Sequence, residues 1–273
     1  MMKKILGIAL LFISQIAISQ NIVKCNTSFL VNQSITEDSR NYQTMEEVAN
    51  KNNEWVTENE QSSKSVITIP IVVHIVHRQT HANIGSGTNI SNEQIEDAIR
   101  ILNEDFSKTN PEFPNPPRNT FLNYWGNPNI KFCLATTDPS GNPTNGITRT
   151  STTVAAWDAD DNFESNAMKE TVSGGIDSWD HTNYLNIWVC NLSNSGGGGT
   201  TLGYAYLPGL PSNPWNDQTW KDGLVIDFQY FGTIGVASSS SDGRTATHEI
   251  GHYLGLNHTF AEPSFNGQGG PCD

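Results

Sequence analysis

Eleven residues, His248-Glu249-Ile250-Gly251-His252-Tyr253-Leu254-Gly255-Leu256-Asn257-His258, constrain this chain more than any other stretch. Positions four apart lie one above the other on a helix, so His248 and His252 point the same way. Two imidazoles on one face suit zinc, which takes nitrogen and sulfur ligands in a tetrahedron. Glu249 follows the first and can lean over the metal's open side to accept a proton from bound water. Gly255 stands where the helix should stop, because glycine adopts the left-handed conformation that ends helices at little cost. The chain then swings round and brings His258 in as a third ligand. Three protein ligands leave one position for water, which separates a catalytic site from a closed structural one. Water held there has its pKa lowered from about 15.7 to roughly 7. Two plain alternatives stand beside this: a chance H-E-x-x-H on an amphipathic helix, and a structural zinc with a cysteine as fourth ligand. The glycine and third histidine at set spacing argue against the first.

Such a helix needs a core to lie on. With 273 residues, 36% of them hydrophobic, the chain can build one large domain with or without a leader. Its net charge of -13 argues against nucleic acid as a partner, since no basic stripe is present to neutralise phosphates. Residues 1–19 read as a secretory signal: Lys3 and Lys4, the apolar run Ile5 to Ile18, and small residues before a cut at Gln20. The run is too short for a membrane anchor and is broken by Ser14 and Gln15. The mature chain is therefore expected to be secreted and extracellular, with no membrane attachment after signal removal.

Residues 20–65 are rich in Asn, Gln, Ser, Thr and Glu, and only Met45 to Asn52 has the periodicity of a short helix. They read either as a solvated leader or as a pro-segment whose working residue is Cys25. A thiolate there would fill the fourth zinc position until the segment is cut away. Arg40, Lys51 and Lys64 are candidate cutting points.

The catalytic domain is expected over 66–273. Val66 to His77 is a β-branched run and predicts a buried strand. On a strand His74 and His77 face opposite ways, so they and His81 are read as structural. Ser91 with Gln94 forms a capping box for a helix over 91–106, whose face of Ile95, Ala98, Ile99, Leu102 and Phe106 should pack under a sheet. A proline-rich connection over 108–128 leads to a strand over 129–135. Further strands are predicted over 184–191, 202–206 and 223–231, with a flexible loop at 195–199. The zinc helix is predicted over about 243–254.

HEIGHYLGLNHTF resembles the pappalysin family of metzincin metalloproteases. IPIVVHIVH (69–77), IKFCLATTDPSGNPTNGITR (130–149), NYLNIWVCNL (183–192) and LGYAYLPG (202–209) agree with it. The resemblance implies an α+β fold: a twisted mixed sheet, a backing helix and an active-site helix forming the cleft floor. It implies a zinc endopeptidase made as a latent zymogen, with His248, His252 and His258 on zinc and Glu249 as base. Protein or peptide substrates would pair antiparallel with the backbone of Gly203, Tyr204 and Ala205 on an edge strand, as the resemblance implies. It also implies a cysteine-switch role for Cys25 and structural calcium with unassigned ligands. Metzincins carry a methionine turn downstream of the third histidine. Here Met1, Met2, Met45 and Met168 all precede it, so the chain is expected to be part of a longer enzyme. Cys133 and Cys190 are either bridged or two buried thiols, and the partner of Cys272 is open. The rival function is a secreted binding or adhesive protein with a purely structural zinc.

Overall fold

The computed structural model describes residues 25–59, 65–111, 126–196, 200–211, 214 and 217–258. The expected signal sequence, Lys64 and Cys272 lie outside the described residues, as does most of the proline-rich connection. The β-branched run forms β1 (Ile67–Arg78), the organising strand of a mixed sheet. Along one edge it pairs in parallel with β2 (Ile130–Leu134) and then β3 (Ile147–Thr152), and along the other with β5 (Leu185–Cys190). Between β3 and β5 lie the short β4 (Trp157–Asp158) and a helical turn, α4 (Glu164–Ala167); β4 pairs with β6 (Leu192–Ser193) in a separate ribbon. The sheet continues from β5 to the parallel β8 (Leu224–Asp227) and ends on the antiparallel β7 (Gly203–Ala205).

Strands covered on both faces read as continuous apolar runs, and their alternation here feeds two cores. Ile71, Val73, Ile75, Ile187, Val189 and Ile226 pack against Ile95, Ala98 and Leu102 of α3 (Asn92–Ser107) and against Ala246 and Ile250. Val76, Trp188, Cys190, Tyr204 and Val225 face the other way, toward Leu30 and Val31. Those two belong to α1 (Thr27–Glu37), which is followed by α2 (Arg40–Glu58). Residues 27–37 and 40–58 are thus helical, well beyond the single short helix that periodicity predicts. The reason is tertiary: α1 has a weak apolar stripe of its own and is held by the aromatic face of the sheet, whereas α2 buries only Asn41. Arg40 lies in an ion pair with Asp38 and Lys51 falls inside α2, so neither candidate cut lies on extended chain.

The histidines of β1 are structural. His74 is fully buried between Thr148 Oγ1 (2.7 Å) and Asn186 Oδ1 (2.9 Å), and burial holds its pKa down to about 4. His81 Nδ1 lies 3.0 Å from Thr88 Oγ1. Ser91 caps α3 by accepting from Gln94 N–H, but the other half of the capping box is diverted. The Gln94 amide donates to the carbonyls of Phe228 and Phe231 and accepts from Val236 N–H, tying the helix to the loop after β8. Cys133 and Cys190 are free thiols, as is Cys25. Strand β1 lies between Cys133 and Cys190, and their registers fall near opposite ends of it, so no bridge can span the gap. Among the described residues no helix is long and apolar enough to cross a membrane.

One buried cation yields a stability prediction. Lys169 Nζ donates to Lys221 O and sits 5.0 Å from the ring centroid of Trp188 and 4.9 Å from that of Tyr206. Burial brings its pKa from 10.5 down to about 7. Between those two values the unfolded chain binds more protons than the folded one, so stability rises with pH through that window. Lys169→Met removes this dependence. The stability of the variant minus that of the parent should be highest near pH 6 and fall toward pH 9, by on the order of 1 kcal/mol per pH unit at most. Thermal melts across that range check it; a flat difference would refute the neutral lysine.

Candidate active site

The motif lies on α5 (Thr245–Tyr253). The helix ends as Gly255 requires: at φ +93° its N–H bonds His252 O (2.8 Å), and Leu256 N–H reaches back to Gly251 O (2.9 Å). These are the two bonds of a Schellman turn. The turn presents Leu256 O to His252 Nδ1 at 2.7 Å, so Nδ1 carries the proton and Nε2 keeps its lone pair. It also returns His258 to the helix. The Nε2 atoms of His248, His252 and His258 then lie 3.0–3.1 Å from one another. Tetrahedral nitrogen ligands at zinc distances stand roughly 3.3 Å apart, so the triad fits that ion with little adjustment. Burial, reinforced by the two neighbouring imidazoles, holds the His248 pKa down to about 4, which keeps the ring neutral and able to ligate.

Cys25 Sγ joins this group. It and the three histidine nitrogens all lie within 4.8 Å of one another. The residues that follow Cys25 occupy the neighbouring groups in turn. Asn26 N–H donates to Gly203 O (3.1 Å) in a parallel bridge, so the leader takes up the outer edge of β7. Thr27 Oγ1 accepts from Ala205 N–H (3.0 Å) and lies 3.2 Å from Ala205 O and 3.3 Å from Glu249 Oε2.

Glu249 has 0% exposure, where the sequence predicts a carboxylate leaning over an open metal face. Its Oε2 accepts from Cys25 Sγ (3.5 Å) and Thr27 Oγ1, while Oε1 is buried with no protein partner. Burial pushes its pKa up to about 8, against the pull of those two donors. The side chain is wedged below Gly203, where an added Cβ would meet Val225 O at 3.0 Å and Glu249 Cγ at 3.2 Å. Gly203→Val should therefore lower the melting temperature by several degrees and displace the Glu249 side chain, which differential scanning calorimetry and a metal-site spectrum would register.

The structure thus brings together His248, His252, His258, Glu249 and Cys25, and places Gly203, Tyr204 and Ala205 on the sheet edge beside them. Tyr204 is buried, its hydroxyl donating to Ser165 O at 2.7 Å, so only the backbone of this strand faces outward. Sequence reasoning passed over Thr27 and Asn26, although they adjoin Cys25. It also passed over Asp105, whose carboxylate accepts from Thr247 Oγ1 (2.8 Å), Asn110 Nδ2 (2.8 Å) and Arg244 Nε (3.3 Å). Nothing in the spacing marks these contacts, because each joins distant segments.

A mixed sheet with an antiparallel edge strand above an H-E-x-x-H helix, and a third histidine beyond a glycine turn, is the metzincin arrangement. The family profile described as pregnancy-associated plasma protein-A matches residues 168–273. A solved Tannerella forsythia promirolysin mutant is 37% identical, with a TM-score of 0.70, over 87% of this chain and 70% of that one. Tannerella forsythia mature mirolysin in complex with a cleaved peptide is 42% identical, with a TM-score of 0.62, over 73% of this chain and 67% of that one. The chain belongs to the pappalysin family. An extracellular metalloprotease of Arthroderma gypseum is 29% identical over 206 residues, 75% of this chain and 52% of the relative. One from Pyricularia oryzae is 30% identical over 212 residues, 77% and 56% respectively. The chain spans about half the length of these curated relatives.

Proposed function

We propose that this chain is a secreted zinc endopeptidase, held latent by its own leader. The observation that carries the reading is the convergence of three histidine Nε2 atoms beside a buried Glu249, under the edge of β7. His248, His252 and His258 would hold the ion. Bound there, zinc supplies a lowered water pKa and Lewis-acid polarisation of a carbonyl. Glu249 takes the proton of the attacking water and delivers it to the leaving amine. The backbone of Gly203 and Ala205 pairs with an extended peptide and sets the scissile bond over the site. The mirolysin complex with a cleaved peptide, and relatives named as extracellular, support peptide substrates and export.

In the latent form Cys25 takes the fourth position, and Asn26 and Thr27 occupy the edge strand and the base. Residues 20–65 are read as the pro-segment and 66–273 as catalytic domain. Among the described residues Cys25 and the three histidines make up the one grouping of metal-ligating side chains, so calcium stays an expectation from the family.

The same thiol favours a second reading. Three histidines and one cysteine would also close a structural zinc in a binding or adhesive protein. Removing the leader separates the two. A diverse peptide mixture is incubated with the leader-free chain and read by mass spectrometry, with a chelator control. Zinc-dependent cuts support the peptidase; an intact mixture with zinc bound moves the conclusion to the structural site.

A further inference from the structure

The zinc helix is fastened at both ends by carboxylates that take no part in the chemistry above. At its start the chain enters over Gly243, packed so tightly on α3 that an added Cβ would meet Ile101 Cδ1 at 2.4 Å. Arg244, at the N-cap, makes no capping bond with its own side chain; its Nε lies 3.3 Å from both oxygens of Asp105 on α3. Thr247, the residue before the first histidine, donates to Asp105 Oδ2 at 2.8 Å. The Asp105 side chain is 8% exposed, and Asn110 Nδ2 holds its other oxygen at 2.8 Å, so the carboxylate cannot swing away. At the far end Tyr253, next to the second histidine, donates to Asp222 Oδ2 at 3.2 Å. Asp222 belongs to the segment that leads into β8.

Two fixed points from different elements set the rotation of a helix about its axis and its shift along it. His248 needs this most: it is the most exposed residue of the three, and its Nε2 meets the other two histidines rather than any group that would orient it. A metal triad tolerates misplacement of only about 0.5 Å and 10–20°. A carboxylate beside the first turn also favours the positive end of the helix dipole.

We infer that Asp105 and Asp222 are positioning residues that clamp the zinc helix and hold the histidine triad in ligating geometry, Asp105 carrying the larger share. The inference rests on the three-histidine metal site, and its main readout is independent of peptidase activity. Asp105→Ala, Asp105→Asn, Thr247→Val and Asp222→Asn are made in the leader-free chain, and zinc affinity is measured by competition with a chromophoric chelator. Asp105→Ala should lose about ten- to a hundredfold in zinc affinity, the range found when groups that orient ligands are removed. Asp105→Asn keeps the acceptor for Thr247 and should recover most of it. Thr247→Val and Asp222→Asn should each cost several-fold. Ile101→Ala, a cavity in α3 under Gly243, serves as the control for lost stability and should leave zinc affinity near that of the parent. Parent-like affinity in both Asp105→Ala and Thr247→Val would overturn the clamp, as would an equal loss in Ile101→Ala at matched melting temperature. Where Asp105→Ala fails to fold, the Asp105→Asn and Thr247→Val pair decides alone. A parent chain that binds zinc yet cuts no peptide refutes the peptidase reading and leaves the affinity test standing.

Discussion

In the leader-free chain Glu249→Ala should bind zinc as the parent does and lose about a hundred- to ten-thousandfold in turnover, the range for removing a positioned general base. The structure makes the two halves of this prediction separable. Glu249 is no member of the group formed by Cys25 and the three histidines, and the Schellman turn that seats His252 and His258 owes nothing to its side chain. Its own contacts are with the leader, through Cys25 and Thr27, so removing the leader leaves the carboxyl with no tie to lose except its packing under Gly203. Zinc content by elemental analysis and initial rates on a peptide found in the mass-spectrometric screen are the two measurements. Retained zinc with lost turnover supports a base; undiminished rates would falsify the mechanism. Loss of zinc together with turnover would show that Glu249 holds the site's shape rather than the proton.

Local geometry explains what was legible in the sequence. The spacing of His248, His252 and Gly255 specifies contacts within one helix and its terminal turn, and such contacts depend on chain geometry alone. The same holds for the buried strand at 67–78 and for the Ser91 cap. What escaped reading depends on partners far along the chain. Helix α1 is stabilised by Tyr204 and Trp188, more than a hundred residues away, and shows little periodicity of its own. Strand β8 stops at Asp227, short of the predicted 231. The Asp227 carboxylate turns inward to accept from Leu192 and Gln229 N–H, and apolar character alone does not reveal that bend. Glu249 is predicted to lean over the metal's open side, and that side is covered by residues 25–27, whose distance in sequence hides their proximity.

That concealment leads to the second large effect. In the uncut chain Thr27→Val should release measurable peptidase activity even with Cys25 intact, whereas Thr27→Ser should remain silent. The hydroxyl accepts from Ala205 N–H and sits against the Glu249 carboxyl, so valine strips the buried Ala205 N–H of its acceptor and leaves Glu249 Oε2 with the Cys25 thiol alone, while keeping the shape of the side chain. Leaving a buried donor unsatisfied costs about 1–3 kcal/mol, which corresponds to a shift of roughly fivefold to a hundredfold toward the open, active population. Cys25→Ala should release more, since on the proposed reading the thiol is what would take the fourth metal position in place of water. The direction of the leader matters to the outcome. It lies parallel to β7, while metzincin substrates are expected to run antiparallel, so it can fill the edge without offering a bond in the orientation for cleavage. Basal rates of the three uncut variants, each compared with the same chain after leader removal, test the argument. After removal all three should match the parent, because residues 25–27 are then gone. If uncut Thr27→Val is as silent as the parent while Cys25→Ala is active, latency resides in the thiol and the Thr27 contact is packing alone. If every variant is silent before removal and active after it, the leader blocks by bulk, through Leu30 and Val31 on the aromatic face, and the contacts of residues 25–27 serve only to seat it.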